Sequence, residues 1–235
     1  MIAVLTSAEF FAALAGALLG GMITFLCQLY ALSEARAQRE ADQTALRKAQ
    51  AGALMFKLMR IHSNLHGMHH HYWECIEEGR KKDPDAEAWQ IVLPLANPPD
   101  KVSLPPDEMG MLLSLKNDPL FNNVMDVESM HNSLVAAVQA FNTERIALGE
   151  RLASTYQVNA EADDQVSGVL TKKQLDALRP AMIGVNTLAT SILVQAKRAL
   201  SLSGNTVRGV QSLFRETLKL PYTLEIKPDS DQSAT

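Results

Sequence analysis

The sequence predicts an all-α protein: a single-pass N-terminal transmembrane helix continuing into a long cytoplasmic helix, which packs in an antiparallel three- or four-helix bundle. Three observations carry this expectation. The stretch Phe10–Leu32, FFAALAGALLGGMITFLCQLYAL, has no charged side chain between Glu9 and Glu34. Three later stretches repeat apolar residues at alternating steps of four and three, the spacing of a helix that buries one face. Most prolines fall between Pro84 and Pro106, outside those stripes.

The first element divides into a short segment 1–9, a membrane helix 10–32 and a juxtamembrane helical stalk 33–52. At 1.5 Å per residue, a run of about 23 residues spans a hydrocarbon core of about 30 Å. A cleaved signal would have a basic start and a shorter apolar run, whereas Met1–Glu9 contains no Lys or Arg. Arg36, Arg39, Arg47 and Lys48 follow the run and none precedes it. The positive-inside rule then places the N-terminus outside and the larger C-terminal part in the cytoplasm, in an inner or plasma membrane. Gly16 and Gly20, four apart, form a small-residue face on which two such helices can approach closely in lipid.

Composition narrows the remainder. The chain has 235 residues, a formal net charge of −4 and few aromatic residues. It lacks the basic footprint that nucleic-acid binding needs. The two cysteines, Cys27 in the apolar run and Cys75 beyond it, suit a reducing compartment rather than a disulfide framework.

Residues 53–220 read as the bundle domain. Its first stripe is Leu54, Leu58, Ile61, Leu65, Met68, Tyr72 and Cys75, ending at Gly79 and Pro84. An irregular connector follows over 80–106, broken by prolines, with Trp89–Leu93 as a short extended piece. Pro106–Leu115 reads as a short helix with Asp107 and Glu108 in its first turn. Asp118-Pro119 reads as N-cap and first helical residue. Leu120, Val124, Val127, His131, Leu134, Val138, Phe141, Arg145, Leu148 and Leu152 form the second stripe, with His131 and Arg145 polar where core is expected. A polar loop follows over 153–168.

Thr171 and Gln174 make a capping-box pair for the last helix. Its stripe is Leu175, Leu178, Met182, Val185, Ala189, Ile192, Ala196 and Ala199, with a kink expected at Pro180. Ser203-Gly204-Asn205 either interrupts that helix or is crossed on the way to Leu218. Residues 221–235 are read as an extended segment, strand-like over 222–227, and a disordered tail.

Five of the six histidines lie between His62 and His71. His62, His66 and His70 recur at steps of four, an admissible spacing for imidazoles converging on a transition metal. In an antiparallel pair of helices His131 falls at a similar height, and Glu128 three residues before it makes an E-x-x-H pair. The candidate metal set is therefore His62, His66, His70, Glu128 and His131. Against it, di-metal bundle sites use that motif twice and this chain has it once. Imidazoles also titrate near neutral pH as a class, which leaves a proton switch as a further alternative. The plainest reading weighs more than either: histidines beside an apolar stripe are partly exposed flank residues, and His131 is a core histidine bonded to a neighbour.

No G-x-S-x-G, P-loop, H-E-x-x-H or dinucleotide fingerprint occurs. The expectation is a non-enzymatic membrane-anchored protein without a resident cofactor, presenting a cytoplasmic bundle for protein–protein interaction or self-association. Its expected partners are the lipid bilayer, an unidentified protein or a second copy, and no nucleic acid. The alternative is a metal- or pH-responsive module built on residues 62–71 with His131. A third reading is a transducer that passes a signal along the first helix.

Overall fold

The computed structural model describes residues 8–155 and 171–220. Among the described residues are five helices: α1 (Ala8–Lys82), α2 (Ala88–Ile91), α3 (Pro106–Ser114), α4 (Asp118–Thr155) and α5 (Lys172–Leu218). No strand occurs among the described residues. The piece expected to be extended at Trp89–Leu93 is instead largely α2, a helical turn closed by the Glu87 N–H donating to Oε1 of Gln90 at 2.7 Å. Most of the expected 153–168 loop and the whole 221–235 segment lie outside the described residues.

The chain divides into two compact units, Met1–Ala49 and Gln50–Thr235. In the first, every side chain from Phe10 to Ala49 is exposed. Its apolar run is long and apolar enough to cross a membrane. Helix α5 passes the same test of length and composition, but its apolar face is buried in the second unit. A core helix of a folded body satisfies the test equally well.

In the second unit the stripes do what their spacing predicts. Helix α1 buries Leu54, Leu58, Ile61, Leu65, Met68 and Tyr72, then Ile76 in place of the half-buried Cys75. Helix α4 buries its stripe from Leu120 to Phe141 and again at Leu148, with Arg145 and Leu152 half-buried. Helix α5 leaves the first stripe residue, Leu175, exposed, buries the stripe from Leu178 to Ala199 and continues unbroken with Ser203, Thr206, Val207, Val210 and Phe214. It also runs through Pro180. Its N-terminus is the expected capping box, with Thr171 N–H donating to Gln174 Oε1 at 2.8 Å. For α4 the cap lies one residue earlier than expected: Asn117 Oδ1 accepts from Leu120 N–H at 3.2 Å.

Helix direction departs from expectation. Asn64 meets His131 and, eight residues on, Tyr72 stacks edge-on against Phe141 with ring centroids 5.4 Å apart. Residue numbers on α1 and α4 rise together, so these two helices are parallel. Helix α5 opposes α4: Ser203 meets His62, while Gly209, further along α5, lies beside Leu120 near the start of α4. The antiparallel expectation thus holds for α5 and is corrected for α1 and α4. The cause is the connector, which runs back along α1: His71 contacts Leu93, Arg60 lies 4.0 Å from Asp100, and Lys57 pairs with Glu108 of α3 at 2.7 Å.

Two positions show how closely α1 is matched to its surroundings. A Cβ on Gly79 would sit 2.6 Å from both Cβ and Cγ2 of Ile91, so α2 rests directly on bare backbone. Gly79→Ala improves helix propensity by about 1 kcal/mol but overpacks this contact, for a net loss of about 1–2 kcal/mol in urea unfolding. Adding Ile91→Ala relieves the clash and makes the two changes non-additive. The buried hydroxyl of Tyr72 has no hydrogen-bond partner among the described residues, and burial pushes its pKa upward. Tyr72→Phe therefore keeps or raises the thermal midpoint, because it removes a desolvated donor and keeps the ring contact with Phe141.

Candidate functional site

His62, His66, His70 and His71 of α1 occupy three environments. His66 and His70 are on the exposed face of α1, stacked with centroids 6.1 Å apart and planes at 26°. His70 in turn stacks on Trp73, and its Nε2 lies 3.4 Å from Oε2 of Glu74. His71 points to the connector, where its Nε2–H donates to the Leu93 carbonyl at 2.9 Å. His62 turns toward α5 and bonds Oγ of buried Ser203 at 2.8 Å. The hydroxyl proton of Ser203 is committed to the Leu200 carbonyl, so Oγ accepts and Nδ1 of His62 donates.

His131 is fully buried at its stripe position on α4. The Asn64 amide donates to its Nε2 at 3.1 Å. Its Nδ1–H donates to Oδ1 of Asn132 at 3.0 Å. An imidazole accepting at one nitrogen and donating at the other is neutral, so the network fixes the Nδ1–H tautomer. Burial, the largest influence, lowers its pKa; the Asn132 bond opposes this and Arg60 adds to it.

Beside His131 lies a set of side chains that the stripe does not reveal. Asn132 holds both backbone groups of Val102: its Oδ1 accepts from the N–H at 3.0 Å and its Nδ2 donates to the C=O at 2.9 Å. Asn142 does the same for Leu95, at 3.0 and 2.8 Å. Glu128 Oε1 accepts from Leu104 N–H at 3.0 Å. Three side chains of one helix thus replace a neighbouring strand as hydrogen-bond partners for the connector, a requirement for peptide groups lying against a core.

The sequence-derived metal set is distributed over this arrangement rather than gathered by it. His66 and His70 stand on the exposed face, His62 is bound to Ser203, Glu128 is bound to the connector, and His131 is held between Asn64 and Asn132. Among the described residues no three His, Cys, Asp or Glu side chains form a group that could hold a metal ion. Successive residues on a helix point about 100° apart, so His69, His70 and His71 cannot share a face. Gly16 and Gly20 lie in the first unit, where a Cβ on either would meet nothing within 4 Å.

No family model, curated protein or solved structure matches this chain.

The two asparagine clamps differ in burial, and that sets their expected weight. Val102 is buried, whereas Leu95 is half-buried. Asn132→Ala leaves two buried peptide groups unpaired and costs about 2–3 kcal/mol by denaturant unfolding. Asn142→Ala costs about half as much, because water reaches Leu95 in its place.

Proposed function

We propose that this is a non-enzymatic protein held in an inner or plasma membrane by one helix. Its N-terminus lies outside, and its cytoplasmic helical bundle is presented to a protein partner or to a second copy. The observation that carries this reading is the run Phe10–Leu32, exposed at every residue and free of charge. Surface of that extent and polarity is stable in lipid and not in water.

The cations Arg36, Arg39, Arg47 and Lys48 support the orientation. For self-association, support comes from Gly16 and Gly20, whose open Cβ positions leave room for a neighbouring helix. The bundle also carries Phe56 at 71% exposure, a large aromatic surface suited to a protein contact. The absence of catalytic motifs from the sequence supports a binding role over an enzymatic one.

Alkaline carbonate extraction tests the anchor. The full-length protein stays with the membrane pellet, and the double variant Leu19→Arg/Ile23→Arg moves to the supernatant. Wild-type protein in the supernatant contradicts the reading. Protease added outside intact cells leaves the C-terminal body whole, and its digestion contradicts the orientation. A Cβ at Gly16 or Gly20 has nothing within 4 Å, so a fall in crosslinked dimer in Gly16→Leu/Gly20→Leu reports a contact between copies.

A further inference from the structure

The bonds of His131 depend on its protonation state. Its Nε2 accepts from the Asn64 amide only while that nitrogen carries no proton. A proton there sets an N–H against an NH2, two donors facing each other inside a packed core. The charged ring also pulls harder on Asn132 Oδ1, the same oxygen that holds Val102 N–H.

The surrounding groups offer a proton little compensation. On α1, Arg60 repels it, and Lys57 is paired with Glu108 of α3. On the connector, Asp100 lies 4.0 Å from Arg60, and Lys101 is exposed beside Val102. On α4, Glu128 is one turn before His131 and bound to Leu104 N–H. Toward α5, Ser203 and Thr206 give their hydroxyl protons to the Leu200 and Leu202 carbonyls, and His62 is bound to Ser203.

We propose that His131 is a proton-operated latch: a proton taken at Nε2 breaks the bond to Asn64, loosens the α1–α4 seam and releases the connector at Val102. The latch lies within the second unit and does not rest on the membrane reading. The sign follows from linkage. The folded-state pKa lies below the unfolded value of about 6.5, so the unfolded chain binds more protons as pH falls. Stability is therefore intact above about pH 6.5 and is lost as pH falls through the folded pKa.

Hydrogen exchange of the full-length protein in detergent micelles, corrected for intrinsic rates, tests this. Between about pH 7.5 and pH 5, protection over residues 100–105 falls about tenfold or more. Residues 93–97, held by Asn142, change less than about twofold. In His131→Gln, which does not titrate, the fall disappears. In Asn64→Asp a carboxylate faces Nε2, so the segment stays protected at the lower pH. Equal wild-type protection at both pH values overturns the latch, as does a loss that persists in His131→Gln. Should His131→Gln fail to fold, a wild-type-sized loss in Asn64→Asp overturns it equally.

Discussion

Between Val92 and Pro105 the chain is neither helix nor strand, yet it packs against the core at Val92, Val102 and Leu104. Its peptide groups need partners, and α4 supplies those of Leu95, Val102 and Leu104 through Asn142, Asn132 and Glu128. Everything else in the helical body depends on this. Because the connector can be held flat against α4, it runs the length of the α1 core segment before α3 begins. Helix α4 then starts near Lys57 rather than near Lys82 and rises parallel to α1. Helix α5, antiparallel to both, completes the core.

The same face of α4 couples packing to chemistry. Asn132 touches the connector with its amide and His131 with its carbonyl oxygen, and His131 reaches across to Asn64. A change at the imidazole is thereby felt in both α1 and the connector. A buried polar network of this kind fixes helix register when satisfied and is costly when disturbed. The hydroxyls of Ser203 and Thr206 at stripe positions of α5 extend the polar character of the core, each bonded within its own helix.

Much of the helical body was legible in the sequence because burial follows period. The stripes from Leu54 to Tyr72 and from Leu120 to Phe141 predicted their own buried faces, and Thr171 with Gln174 predicted a helix start. Direction was not legible, because a stripe carries no sign and a proline-rich segment reads simply as a turn. Its length was the available clue, being far more than an antiparallel hairpin of helices requires. Asn132, Asn142 and Glu128 lie beside the stripe, not in it, and periodicity ignores them.

The histidine cluster was conspicuous in sequence for its density, but density along a helix spreads side chains around its circumference. His131, isolated in sequence, is the histidine with the most constrained surroundings, and its stripe position marked it. Its placement at the height of Asn64 agrees with the height argument made from the sequence, although the helices run in the same direction. The agreement arises because α4 begins at the opposite end of the α1 core segment from the one assumed.

The parallel course of α1 and α4 is the claim on which the connector clamp and the His131 network both rest. A spin-label distance between positions 77 and 144, exposed sites on the two helices, tests it in a background lacking Cys27 and Cys75. Neighbouring helices rising together place the labels within about 25 Å. Helices running in opposite directions from a turn near Lys82 offset the two positions by about 30 Å along the axis, and a label distance beyond that would contradict the account.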